Sequence, residues 1–156
     1  MSKVRIEASV RDFSLPSTAG ADFRLADFKG APVVLYFYPK DATSGCTTEA
    51  QAFRDLHARF RRAGTVLFGI SRDSLASHAK FRTAHALPFH LLSDADEKAC
   101  RQFDVIREKS LYGRKYMGIE RSTFLIDGSG KLRREWRKVK VADHAQEVLD
   151  SLRALD

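Results

Sequence analysis

Apolar residues along the chain fall into two kinds of segment. The first kind is short and nearly unbroken: residues 33–38 (Val-Val-Leu-Tyr-Phe-Tyr), 66–70, 89–92 and 122–126. β-branched and aromatic side chains dominate these runs, and turn formers at Gly64, Pro88 and Gly128-Ser129-Gly130 separate them, so they predict buried strands. A fifth strand is predicted at 132–136, where Leu132 and Trp136 bracket charged residues. The second kind repeats every three to four positions. Residues 46–62 carry Phe53, Leu56 and Phe60 at helical spacing, 74–85 open on Ser74 as an N-cap, 94–103 form a shorter helix, and 142–155 align Ala145, Val148, Leu149 and Leu152. Strands alternating with helices give parallel βαβ units, closed by a hairpin and a terminal helix, and predict an α/β fold.

At 156 residues and 44% hydrophobic, the chain can bury one sizeable core, and 1–156 is read as a single domain. Element order matches a thioredoxin-like fold with an amino-terminal extension, its additions lying around Phe13 and 23–28. No internal repeat, low-complexity stretch or linker interrupts it. No apolar run approaches the roughly 18 residues of a membrane span, and no apolar segment follows Met1-Ser2-Lys3-Val4-Arg5 as in a secretory signal. A cytoplasmic protein with no membrane partner is expected.

The net charge of +7 raises nucleic-acid binding as a rival function. The densest basic stretches are Arg61-Arg62 and Arg133-Arg134-Glu135-Trp136-Arg137-Lys138-Val139-Lys140. Alternation along the second fits a half-exposed strand with solvated basic side chains, and no nucleic-acid partner is expected. The five histidines, His57, His78, His85, His90 and His144, are scattered at spacings that match no metal-ligand pair with a cysteine. They are read as surface residues, with neither metal nor cofactor. Two cysteines without a signal segment argue for reduced or catalytic thiols, not a disulfide framework.

Cys46 lies between the strand at 33–38 and the first turn of the helix that follows. A thiol there faces unpaired backbone N–H groups and the positive end of the macrodipole, which favour thiolate. A partly buried dipole contributes at most about 2 kcal/mol, or about 1.5 pKa units, and takes an ordinary thiol from about 8.5 to about 7. Full ionisation raises the thiolate fraction only about thirty-fold, so a fast thiol enzyme must also stabilise charge on the atom it attacks. Thr43 offers a hydroxyl three residues before the thiol, and reads equally as an ordinary N-cap. Pro39 ends the strand, lacks an N–H, and can close a pocket wall without adding a donor.

The spacing Pro39-x-x-x-Thr43-x-x-Cys46 resembles the active-site motif of the peroxiredoxins. The longer string Phe37-Tyr38-Pro39-Lys40-Asp41-x-Thr43-x-Gly45-Cys46-Thr47-Thr48-Glu49 is similar to the bacterioferritin comigratory protein, or Q-type, branch. Phe13-Ser14-Leu15-Pro16, Gly69-Ile70-Ser71-Arg72-Asp73-Ser74, Leu92-Ser93-Asp94 and Gly118-Ile119-Glu120-Arg121-Ser122-Thr123-Phe124-Leu125-Ile126-Asp127 extend the likeness over residues 8–155. The resemblance implies that Cys46 attacks a peroxide oxygen to give a sulfenic acid, and that Arg121 is the required cation. Without it, Arg121 reads as a strand-edge surface residue. The implied partners are a peroxide and a thiol reductant such as thioredoxin, glutaredoxin or glutathione, and the implied state is a monomer.

Resolution of the sulfenic acid is where this chain departs from the family. The position five residues after Cys46, which in many members of the branch holds a second cysteine, is Gln51, and 74–85, where another group places it, contains none. Only Cys100 remains. Its neighbours Ala99 and Phe103 mark it as a buried thiol, so one-cysteine turnover with an external thiol is expected, and a two-cysteine route through Cys100 is the alternative. A thioredoxin-like thiol-disulfide reductase is a further alternative, weakened because Cys46 is followed by Thr47-Thr48-Glu49 and no C-x-x-C pair exists.

Overall fold

The computed structural model describes residues 3–155; Met1 and Ser2, part of the segment read for a signal, lie outside the described residues. Nine strands and four α-helices follow one another among the described residues. They are β1 (Ser14–Leu15), β2 (Phe23–Arg24), β3 (Val33–Phe37), α1 (Ser44–Arg62), β4 (Val66–Ser71), α2 (Leu75–Ala84), β5 (His90–Ser93), α3 (Lys98–Gln102), β6 (Ile106–Leu111), β7 (Arg114–Ile119), β8 (Ser122–Ile126), β9 (Leu132–Trp136) and α4 (His144–Ser151). The five strands predicted from the apolar runs form one sheet in the order β5-β4-β3-β8-β9. β3 pairs in parallel with β4, and β4 with β5, while β8 is antiparallel to both β3 and β9. This is the thioredoxin-like α/β arrangement that the element order predicts.

Strand β3 runs through the middle with every side chain buried, which explains its unbroken apolar sequence. Its residues alternate between two cores. Val33, Leu35 and Phe37 join the amino-terminal hairpin β1–β2 and α3, whereas Val34, Tyr36 and Tyr38 join α1, α2 and α4. Gly69 on β4 has a steric reason: a Cβ there would stand 2.8 Å from the Tyr36 ring, which stacks on Phe53 of α1 at 4.7 Å.

Boundaries move inward or outward by small amounts. Helix α1 begins at Ser44, so Cys46 is its third residue, and α3 is confined to five residues of the predicted 94–103. Ser74 caps α2 as expected, its Oγ accepting from the Ser77 N–H at 3.1 Å. The hairpin β6–β7 is absent from the sequence reading. The histidine reading needs correction: His78 and His144 are buried, because His78 meets Asp41 and Leu92, and His144 meets the Thr123 hydroxyl at 2.8 Å.

Candidate active site

The site forms where β3 and β8 end beside the first turn of α1. Residues 38–43 leave β3 and reverse through Ala42 at φ 66, and Thr43 enters the helix with extended backbone, φ −81 and ψ 155. No side chain caps α1. The Thr43 hydroxyl donates to the Lys40 carbonyl at 2.9 Å, so Thr43 holds the N-cap position without serving as a cap. Cys46 then places Sγ in the core between sheet and helix, 1% exposed.

Arg121 lies just before β8, anchored where its carbonyl accepts the Val139 N–H at 3.0 Å. Its guanidinium bridges two α1 side chains. Nη2 donates to Cys46 Sγ at 3.6 Å and Nη1 to Glu49 Oε1 at 2.7 Å. Cys46 and Glu49 are three residues apart on one helix face, so a single planar fork reaches both. Burial opposes the Arg121 charge, but Glu49 and Cys46 outweigh it and hold the guanidinium more firmly protonated. Gly45 makes room for this approach: a Cβ there would lie 3.1 Å from Nη2. The structure thus brings Arg121 to Cys46, with Pro39 and Thr43 on the loop that joins β3 to α1, and the Arg121 side chain is part-buried at 16% exposure.

Glu49 and Gly45 carry no role in the sequence reading. The signal for Glu49 was a carboxylate on the helix face that also presents Cys46, Ala50 and Phe53, all buried. Burial pushes the Glu49 carboxyl up to about 7, against the pull of Arg121, and its Oε2 has no hydrogen-bond partner among the described residues. The folded value exceeds the reference value of 4.5, so the native state binds the proton more tightly, and the resulting stability is lost as pH rises through about 7. Stability of the wild type relative to Glu49→Gln therefore falls as pH rises from about 4.5 through about 7, by up to about 3 kcal/mol. Urea titrations of both proteins across that range measure it; a constant difference excludes Glu49 as the titrating group.

Cys100 lies elsewhere. It packs with Ala99 and Phe103 in the core on the opposite sheet face from Cys46. Burial, with Asp94 beside it, pushes its thiol far up, which makes it a poor nucleophile. Both cysteines are free.

Comparison with known proteins agrees with this architecture. The AhpC/TSA family model matches residues 6–135. Peroxiredoxin Bcp of Bacillus subtilis (strain 168) is 50% identical over 150 residues, covering 96% of this chain and 96% of that protein. The structure of Xanthomonas campestris peroxiredoxin Q superimposes with a TM-score of 0.90 at 45% identity, covering 99% of this chain and 98% of that one. A structure of the Xanthomonas campestris bacterioferritin comigratory protein, described for alkyl peroxide reduction activity, gives a TM-score of 0.89 at 45% identity over 99% of this chain and 98% of that chain. With a buried thiol at a helix start under an arginine fork, and relatives of this identity along nearly its whole length, the chain belongs to the AhpC/TSA family and is a peroxiredoxin, a thiol-dependent peroxidase.

Proposed function

We propose that Cys46 is the peroxidatic nucleophile of a one-cysteine cycle acting on hydrogen peroxide and organic hydroperoxides, with alkyl hydroperoxides among its substrates as in the Xanthomonas relative. The observation that carries the reading is the Arg121 guanidinium fixed by Glu49 at 2.7 Å with its other nitrogen 3.6 Å from Cys46 Sγ. The thiolate attacks the terminal peroxide oxygen, the O–O bond breaks, and the departing oxygen takes a proton from solvent to leave as water or alcohol. Arg121 stabilises the thiolate first and the charge on the breaking O–O bond next. Thr43 turns its hydroxyl to the substrate oxygen, and Pro39 closes the pocket wall without an N–H that would compete for the peroxide. A reductant thiol then attacks the Cys46 sulfenic acid, releasing water and forming a mixed disulfide, and a second thiol restores Cys46.

The position of Cys100 supports the external thiol. A direct bond needs Cα atoms within about 7 Å and facing Cβ vectors, and the central sheet separates the cores that hold the two cysteines. Thioredoxin, glutaredoxin or glutathione fits the reductant role. We read residues 1–156 as one domain working as a cytoplasmic monomer, consistent with two free cysteines and with no described helix long and apolar enough to cross a membrane. A groove between β9 and α4 places Asp143, Glu147 and Asp150 among Arg134, Arg137, Lys138, Lys140 and Arg153, and the interspersed acids support a solvated face over a nucleic-acid surface.

Intact mass spectrometry after one equivalent of peroxide tests the cycle. The monomer gains one oxygen, a sulfenic-acid trap labels Cys46, and Cys100→Ser shows the same adduct and the same turnover with a small-thiol reductant. A loss of two hydrogens, mapped to a Cys46–Cys100 disulfide, refutes the one-cysteine cycle.

A further inference from the structure

Beneath the loop that precedes Cys46 lies a buried Asp41–His78 contact to which the peroxidase reaction gives no part. Asp41, 6% exposed, sits midway between Pro39 and Thr43. Its Oδ1 accepts from the Tyr38 hydroxyl at 2.6 Å, and its Oδ2 from Ser77 Oγ at 2.8 Å and His78 Nδ1 at 2.7 Å. Its own N–H donates to Asp73 Oδ2 at 2.9 Å. His78 is fully buried and places Nε2 2.9 Å from the Leu92 carbonyl of β5. With an acceptor at each ring nitrogen, both bonds form only when the ring carries two protons. Burial alone would push the Asp41 carboxyl up; the bonds from His78, Tyr38 and Ser77 outweigh it and hold the carboxyl below its usual range.

These three acid and base groups, Asp41, Asp73 and His78, gather their ligand-type atoms within 4.8 Å of one another. They form no metal seat, because neither nitrogen of His78 retains a free lone pair in this arrangement. What they do is tie one short loop to four places: the end of β3 through Tyr38, the β4–α2 turn through Asp73, the first turn of α2 through Ser77 and His78, and β5 through Leu92. The tie holds the residue just before the left-handed turn at Ala42, φ 66, a conformation that a non-glycine residue keeps only when its surroundings over-determine it. That turn sets where Thr43 and the first turn of α1 begin.

We infer that His78 is a positioning residue for the peroxidase reaction, acting through the buried pair with Asp41 to hold residues 39–43 in the shape that presents Thr43 and Cys46 to the peroxide. The inference rests on Cys46 as nucleophile. Loss of the pair leaves Asp41 an uncompensated buried charge, which the loop relieves by moving Asp41 toward water. The peroxide step, which needs the loop closed, then slows. The reductant step, which needs access to the sulfur of a residue only 1% exposed, does not.

Stopped-flow kinetics measure the two steps separately. His78→Gln keeps one hydrogen bond and loses the charge; the rate constant for Cys46 oxidation by hydrogen peroxide falls at least about fivefold, while that for reduction of the oxidised enzyme by a small thiol is unchanged or higher. Asp41→Asn keeps acceptor and donor for Tyr38 and for a singly protonated His78 and leaves no uncompensated charge, so oxidation stays within about twofold of wild type. Tyr38→Phe, nearly isosteric, removes one bond to Asp41 and slows oxidation about threefold, and it decides alone if His78→Gln fails to fold. A merely structural role lowers thermal stability and leaves the rate constants of the folded molecules unchanged, and that result in both His78→Gln and Tyr38→Phe overturns the inference. Cys46→Ser assayed in parallel keeps the two readings apart, since turnover retained there refutes the nucleophile whatever His78 does.

Discussion

Cys46→Ser loses at least about a thousandfold in peroxide turnover while its circular dichroism and thermal transition stay close to wild type. The loss follows from ionisation. A serine hydroxyl does not ionise appreciably at neutral pH, and the Arg121 fork 3.6 Å from the sulfur contributes far less than the energy needed to change that. The retained fold follows from packing. Serine keeps the shape of the cysteine side chain with a smaller atom at its tip, and that hydroxyl keeps the guanidinium as a hydrogen-bond donor, so the buried atom is not left unpaired. Cys100 cannot substitute, because burial and Asp94 push its thiol far up and it packs beyond the sheet. Retained turnover in this variant, measured by peroxide consumption with a small thiol, would mean that the chemistry sits elsewhere in the molecule.

What the sequence shows of this site depends on how far apart its parts lie. Cys46 is legible because a strand run, a proline and a helix start are all within ten residues, and local periodicity defines each. Arg121 is 75 positions away, and only the resemblance singles it out from the other arginines. Glu49 is closer, yet a glutamate in the first turns of a helix is usually a solvated residue, and its burial depends on the distant arginine. The same holds for His78, whose helix carries many polar residues; its partner Asp41 comes from 37 residues earlier and its second acceptor from β5. Long-range pairing, not local pattern, decides whether such a side chain is inside.

The unread hairpin β6–β7 teaches a related lesson. Its strands, Ile-Arg-Glu-Lys-Ser-Leu and Arg-Lys-Tyr-Met-Gly-Ile, are mostly exposed, and only the Ile106 and Ile119 pair at the root packs against the core. Burial on one face is what writes alternation into a strand, so a hairpin that leaves the body of the protein shows little of it. A local signal was present nonetheless. Tyr112 and Gly113 form its two-residue turn with φ of 51 and 78, the left-handed pair that such hairpins need and that glycine favours.

Arg121 is the second position at which a large effect is expected. Arg121→Gln loses about a hundred- to a thousandfold in kcat/KM for peroxide, the range for removing one preorganised donor from a developing negative charge. It also leaves Glu49 without its counter-charge, 1% exposed, so that carboxyl stays protonated to higher pH and part of the loss in stability grows as pH rises. Arg121→Lys separates charge from shape. An ammonium keeps the charge, but it is a single point at the end of a flexible stem and cannot face Sγ and Oε1 as one rigid fork. Turnover therefore falls by at least about tenfold, or about 1.4 kcal/mol, with the rate of Cys46 alkylation at neutral pH falling alongside it. Alkylation reports on the thiolate alone and peroxide turnover on thiolate and O–O cleavage together, so the excess of the second loss over the first measures what Arg121 adds at the breaking bond. Equal losses would confine Arg121 to holding the thiolate, and no loss in either would remove it from the site.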